Sequence, residues 1–223
     1  MERPISVTYK STNKVLEANR FLHEISKTDL FAADFEVAVK YTTDDLTHYK
    51  ELLETDLPRK ERITLESRLK ATALDHPSHT QLTHCSIALN DHEGYVFILD
   101  NPKITKRILN FLTTTPVRQV WHNASFDFKH LQFHTGKFPL LYEDTQILAK
   151  TILNHADITQ AKTGLKQLAG HKYGAWGISA DNFTIEQMYD PQMLLYSTTD
   201  ACATYWLWNS IQRYLKETNV TSS

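Results

Sequence analysis

Residues 30–39 read Leu-Phe-Ala-Ala-Asp-Phe-Glu-Val-Ala-Val, so two carboxylates interrupt a run otherwise built for the centre of a sheet. An ionised carboxylate in apolar surroundings is costly unless it is paired or bound to metal. Side chains alternate along a strand, so Asp34 and Glu36 project from the same face and can share one partner. Two further acids stand in equally apolar company: Asp127 in Trp-His-Asn-Ala-Ser-Phe-Asp-Phe and Asp200 in Leu-Leu-Tyr-Ser-Thr-Thr-Asp-Ala. Four such acids spread along one chain point to a common cation site. A fold that brings them together is the strongest demand this sequence makes.

The rest of the pattern supplies candidate elements. Residues 12–27 read as a helix capped by Thr12 or Ser11, with Val15, Leu16, Phe21, Leu22 and Ile25 near 3–4 spacing. After Leu30–Val39, strands are expected at Leu82–Leu89 and Tyr95–Leu99, joined by the turn Asn90-Asp91-His92-Glu93-Gly94. Beyond Pro102 the pattern predicts a helix over 103–113, a strand at Arg118–Trp121 and a helix over 125–134. A short strand at Leu140–Tyr142 and a helix over 145–153 follow, with Asp144 as an N-cap. Gly164–Ala169 reads as a short helix and Pro191–Leu215 as a long final one. Strands first and then alternating elements predict an α/β fold with a mixed sheet, antiparallel at its start and parallel afterwards, flanked by helices.

Residues 42–80 are polar and fall between the first two of these strands. Leu46, Tyr49, Leu52 and Leu53 predict one helix, and Ile63, Leu65 and Leu69 a second, with Pro58 between them. The segment is therefore a helical insertion within a single domain spanning 1–217, with a disordered tail at 218–223. Its basic residues (Arg59, Lys60, Arg62, Arg68, Lys70) alternate with Glu51, Glu54, Glu61 and Glu66, the pattern of a solvated helix face rather than a strand-binding path.

Composition narrows the partners. The 223 residues are 41% hydrophobic, enough for a substantial core, and the net charge of −2 provides no broad cationic field for duplex DNA or anionic membranes. A short contact with a nucleic-acid end, with bound cations supplying positive charge, is compatible with that balance. Cys85 and Cys202 sit among apolar neighbours and read as buried, reduced thiols of a cytoplasmic protein. No signal peptide or membrane span is evident.

Taken singly, each acidic motif is weak. Asp-x-Glu recurs at Asp91-His92-Glu93 in a polar turn, and Tyr-x3-Asp recurs at Tyr41 and Asp45. Asn123-x3-Asp127 crosses from a strand's carboxyl end into a helix, where open α/β sheets commonly build sites, although Asn123 can equally be a cap. Tyr196 and Asp200 share a helix face one turn apart. Two metal-ligand alternatives are also present. His76, His79, His84 and Cys85 have zinc-ligand types in a spacing that Pro77 makes awkward, and Asp127, His130 and His134 form one helical stripe. A nucleophile elbow and a Gly-rich phosphate loop are both missing. Trp121, Phe126, Phe128, Phe183 and Tyr205-Trp206-Leu207-Trp208 offer base-stacking surfaces, or core volume.

In this order, Asp34-x-Glu36, Asn123-x3-Asp127 and Tyr196-x3-Asp200, with Gly164-Leu165-Lys166-Gln167-Leu168-Ala169 before the last, resemble the DEDD (DnaQ-like) exonuclease superfamily of ribonuclease H-like fold. Leu195 stands five residues before Asp200, where one subclass has His, and Tyr196 stands four before it, so the resemblance is to the tyrosine subclass. That subclass includes the proofreading domains of DNA polymerase I-type enzymes and the ribonuclease D group.

The resemblance implies a two-metal 3′–5′ exonuclease releasing nucleoside monophosphates from a single-stranded end, with DNA preferred and proofreading or repair as its setting. A ribonuclease D-like enzyme, or a non-catalytic polymerase accessory module, is the alternative. Asp34, Glu36 and Asp200 would hold one Mg2+ and Asp34 would bridge to a second, with Asp127 acting through water; Mn2+ would substitute. Tyr196 would orient the attacking water, and Val37, Asn123 and Phe126 would meet the substrate. Val37 departs from polymerase-type members, which often carry Thr there. No polymerase domain follows, so the expectation is a free-standing enzyme, a separate polymerase subunit or an excised domain.

Overall fold

A computed structural model describes residues 2–40, 44–156, 162–174, 176 and 184–218, with only the backbone of 44, 45 and 155. Tyr41, Phe183 and the tail from 219 lie outside the described residues.

Among the described residues, six strands form one mixed sheet in the order β1-β4-β3-β2-β5-β6. The strands are β1 (Thr8–Thr12), β2 (Leu30–Val39), β3 (Thr80–Ala88), β4 (Glu93–Ile98), β5 (Arg118–Trp121) and β6 (Tyr142–Asp144). β2, β3 and β4 are mutually antiparallel, whereas β5 runs parallel to β2 and β6 parallel to β5. This is the predicted α/β arrangement. The helices are α1 (Val15–Ser26), α2 (Asp44–Leu53), α3 (Arg59–Asp75), α4 (Pro102–Thr114), α5 (Ala124–Thr135), α6 (Thr145–His155), α7 (Leu165–Tyr173) and α8 (Pro191–Glu217).

The alternation of β2 divides the molecule. Phe31, Ala33 and Phe35 join a core with Ala18, Leu22, Ile25, Ile104, Ile108, Leu112 and Leu131, supplied by α1, α4 and α5. Ala32, on the other face, packs with Ala169, Tyr173, Ala201, Cys202 and Trp208 from α7 and α8. Asp34 and Glu36 follow Ala32 on that second face, and α8 therefore delivers Asp200 towards them. Small residues permit the approach: Ser197, Thr198, Ala201, Cys202 and Ala203 are all buried, and the Ser86 and Ser197 hydroxyls hydrogen-bond across the interface. A Cβ at Gly94 of β4 would lie 2.9 Å from Thr198 Cγ2 and 3.0 Å from the Ile87 carbonyl oxygen, so a larger residue there would push α8 outward.

Several boundaries differ from those read in the sequence. Strand β1 was not anticipated: its residues Thr-Tyr-Lys-Ser-Thr are polar, and it lies at the sheet edge, parallel to β4. Thr12 belongs to β1 and does not cap α1, whose N-cap is Lys14; the Thr12 hydroxyl instead accepts from the Lys14 N–H (3.0 Å). Strand β6 is displaced by two residues from Leu140–Tyr142, because Trp121 pairs with Asp144 and the carboxylate of Asp144 is anchored beyond the strand. The pair of helices between β2 and β3 matches expectation, with Pro58 at the start of α3. Arg62 there donates to the Leu53 and Thr55 carbonyls (2.9 and 3.2 Å), closing the inter-helix turn. No described helix is long and apolar enough to cross a membrane.

Candidate active site

Asp34 and Glu36 extend from β2, and α8 places Tyr196 and Asp200 one turn apart facing them. One carboxylate oxygen from each of Asp34, Glu36 and Asp200 lies within 4.8 Å of the other two. It is the one such group of potential metal ligands among the described residues. Glu36 is only 8% exposed, and its buried Oε1 has no hydrogen-bond partner among the described residues. A bulge between Glu36 and Val37 shifts the pairing with β3, re-aiming the strand just beyond the acid pair. Among the described residues these acids line an open cleft of about 380 Å3, together with Phe35, His122, Asn123, Phe126, Asp127, Gln146, residues 164–167 and Tyr196.

Asp127 joins the cleft from the first turn of α5, across from α8, and is 2% exposed. Its Oδ1 accepts the Phe35 N–H at 3.1 Å, a bond between the two flanking ligand-bearing positions of β2. Burial pushes the Asp34, Glu36 and Asp127 carboxyls well above the usual range. Repulsion from Glu36, Asp127 and Asp200 adds to the effect at Asp34, while the Phe35 N–H partly offsets it at Asp127. Asp200 is pushed up to about 6 by burial, opposed by the Trp176 hydrogen bond and the nearby Lys166 charge. The orphaned Glu36 oxygen, the three converging carboxylates and their unfavourable ionisation fit an oxygen-ligated divalent cation.

The supporting geometry starts at the end of β5. Asn123 adopts a left-handed conformation (φ 60°, ψ 51°) and makes no side-chain cap of α5. Asp144 takes over that role: its two oxygens accept the Asn123 and Ala124 N–H groups (3.0 and 2.8 Å), and Oδ1 also accepts the Gln146 N–H, capping α6. The sequence reading of Asp144 as a cap holds, and it caps two helices. The Asn123 side-chain oxygen accepts from Ser125 Oγ, leaving its exposed amide at the cleft.

The structure brings Asp34, Glu36, Asp127, Tyr196, Asp200, Asn123 and Phe126 around one cleft. Val37 does not join them; it packs against the core shared with α1, α4 and α5. The zinc alternative dissolves: His84 is fully buried, with Nε2–H donating to the Met188 carbonyl (2.7 Å) and Nδ1 accepting from the Thr83 hydroxyl (2.9 Å). Burial holds His84 below the usual histidine range, which keeps it in that neutral, tethering form. His130 is also buried and held at about 4, facing the Phe126 ring rather than a ligand set. Trp121, Phe128 and Trp208 are core, and both cysteines are buried and unpaired. Two residues were given no site role in the sequence reading, although Lys166 stood in the Gly164–Ala169 element quoted for the resemblance. Trp176 donates from Nε1 to Asp200 Oδ1 (2.8 Å), and Lys166 donates to the Tyr196 hydroxyl (2.8 Å). Trp176 offered no periodic signal, standing alone in the turn-like Gly-Ala-Trp-Gly.

A mixed sheet that brings four acids, Glu36 and Asp127 of them buried, and a tyrosine to one cleft is the arrangement expected from the DEDD resemblance. The family model described as 3′–5′ exonuclease matches residues 71–216, about two thirds of the sequence, and the chain belongs to that family of phosphodiester-hydrolysing enzymes. The match takes in Asp127, Tyr196 and Asp200 but begins after Asp34 and Glu36, which the helices between β2 and β3 separate from it. No curated protein matches the sequence. Solved structures extend the likeness to the whole fold. The Aedes aegypti Nibbler EXO domain is 11% identical with a TM-score of 0.66, covering 97% of this chain and 94% of that one. Brucella melitensis NrnC with bound Mg2+ is 14% identical with a TM-score of 0.56, covering 98% and 85%. Escherichia coli RNase D, an exoribonuclease involved in structured RNA processing, is 13% identical with a TM-score of 0.57, covering 96% of this chain and 46% of that one.

Proposed function

We propose that this protein is a divalent-metal-dependent exonuclease that removes nucleoside monophosphates one at a time from single-stranded 3′ ends. The observation that carries the reading is the buried, partnerless Glu36 oxygen converging with Asp34 and Asp200 at an open cleft. Asp34, Glu36 and Asp200 would hold one Mg2+, with Asp34 shared with a second ion; an all-oxygen donor set suits Mg2+ and accepts Mn2+. The ions, when bound, supply charge neutralisation at the phosphate and a water acidic enough to ionise near neutral pH. Tyr196 orients that water from its place one turn before Asp200, and Asp127 stiffens the acid pair through the Phe35 N–H. Asn123 and Phe126 meet the terminal nucleotides from the β5–α5 junction, and with Val37 turned to the core the third expected contact is withdrawn.

RNA is the substrate this proposal favours over the DNA expected from the sequence. The E. coli RNase D likeness supports a ribonuclease, and the absence of a Thr after Glu36 removes a reason for grouping the chain with proofreading domains. A polymerase partner and a proofreading setting lose their support with it. The complete acid set together with Tyr196 weighs against a non-catalytic accessory module. Digestion of matched single-stranded RNA and DNA, each labelled at the 5′ or the 3′ end, tests the proposal. A ladder receding from the 3′ end faster on RNA, and stopped by EDTA, is expected; shortening from the 5′ end, or indifference to EDTA, would overturn it.

A further inference from the structure

Lys166 is exposed at the rim of the cleft, yet its ammonium is fixed inward. Nζ donates to the Tyr196 hydroxyl oxygen at 2.8 Å and lies 4.6 Å from the centre of the Tyr196 ring. An ammonium has donors only, so the phenol oxygen must accept from it, and the phenol's own proton is left to point elsewhere. A phenol that accepts from a charged donor is polarised into a stronger donor itself. Lys166 thus acts on both the direction and the strength of the hydrogen bond that Tyr196 can offer to a third group. Among the described residues lining the cleft, it is also the sole lysine or arginine beside four carboxylates.

The backbone that carries Lys166 is itself held to the site. The Thr163 carbonyl, three residues earlier, accepts from His122 Nε2 (2.9 Å) and Gln146 Nε2 (3.4 Å). Because Nε2 must donate to that carbonyl, neutral His122 presents Nδ1 as an acceptor, which the Thr145 hydroxyl satisfies at 2.8 Å. Burial keeps His122 below the usual histidine range, consistent with the neutral form. The end of β5 and the first turn of α6 therefore fix where α7 begins and where Lys166 starts its reach across to α8.

We infer that Lys166 is a positioning residue for the hydrolytic step, holding the Tyr196 hydroxyl in the orientation that presents its proton to the attacking water. The inference rests on the exonuclease reading of the site. It is tested with Lys166→Met, which keeps the length of the stem and removes the charge, alone and combined with Tyr196→Phe, on a single-stranded substrate with Mg2+. The expected result is a fall in kcat of about 10- to 100-fold with little change in KM, recovery in Lys166→Arg, and no further loss when Lys166→Met is added to Tyr196→Phe. Mn2+ affinity, followed by calorimetry, should be unchanged or tighter in Lys166→Met.

A wild-type rate in Lys166→Met would overturn the inference. So would an equal further loss in the Tyr196→Phe background with a raised KM, which would place the ammonium on the substrate phosphate instead. Weakened Mn2+ binding would reduce Lys166 to a structural support of the acid cluster. An inactive wild-type protein would instead defeat the exonuclease reading itself, and this inference with it.

Discussion

Asp34-Phe35-Glu36 and Asp91-His92-Glu93 are the same acid pattern in two places, and they behave as opposites. The first lies on the inner face of a central strand with Glu36 buried and one oxygen partnerless. The second sits at the turn between β3 and β4, where Asp91 and Glu93 flank a half-exposed His92 at 2.8 and 3.3 Å. Burial and repulsion from neighbouring acids raise the carboxyls of the first pair, whereas in the second the hydrogen bond that the His92 ring donates to Asp91 raises His92. Water and a histidine satisfy the turn pair. In the strand pair the buried Glu36 Oε1 has no hydrogen-bond partner among the described residues, and that deficit marks it as a site. Residue pattern carries little information about function; the cost of leaving a charge unpaired in the interior carries a good deal.

Substitution should separate the two pairs most sharply. Asp34→Asn is expected to lower turnover by on the order of 1,000-fold or more, the loss of several kcal/mol of cation-supplied stabilisation. Asp91→Asn should stay within about twofold of wild type, as for a solvated surface pair. Comparable losses in both would erase the distinction.

Gly94 lies at the end of that same turn but touches the other region, through Thr198. Gly94→Ala is expected to cost about 1–3 kcal/mol of stability, as overpacking does, and to lower activity by displacing the helix that carries Tyr196 and Asp200. Denaturant unfolding and a rate assay check both effects.

Metal and pH give a third contrast. The folded-state values of Asp34, Glu36, Asp127 and Asp200 all lie above their unfolded values. In metal-free protein the corresponding stability is present in acid and is lost as pH rises through those folded values, near 6 for Asp200. Adding Mg2+ should therefore raise the melting temperature more at pH 8 than at pH 5, with EDTA reversing the gain. His92 follows the same sign on a far smaller scale. Its favourable contribution is present below the unfolded value and fades as pH rises through the raised one, and because the group is exposed His92→Gln should change stability by no more than a few tenths of a kcal/mol.

The sequence was most legible where one physical requirement governed many residues. Strands β2 and β5 fall at their expected ends, because apolar β-prone runs bounded by polar residues leave little freedom. Asp144 was readable as a cap from its place before a helical run, although its second task, receiving the N–H groups of Asn123 and Ala124, depends on the pairing of β5 with β6. Strand β1 was not readable, since a polar edge strand takes its stability from hydrogen bonds to β4 rather than from a buried face. The acids and Tyr196 stood out by pattern and resemblance. Trp176 did not, and Lys166 stood out only as part of the Gly164–Ala169 element, because each acts through one long-range hydrogen bond, to Asp200 and Tyr196 respectively, that no local spacing encodes. Val37 shows the converse: its place beside Glu36 suggested a substrate contact, and the bulge at that point accompanies its packing into the core.

The claim at the centre of this account is that the strand pair, and not the turn pair, belongs to a cation site. Calorimetric titration of Mn2+ into the wild-type protein, Asp34→Asn and Asp91→Asn measures that difference without depending on any substrate. Saturable binding in the wild type and Asp91→Asn, and its loss in a folded Asp34→Asn, is the predicted result. Binding of equal strength in all three would contradict it.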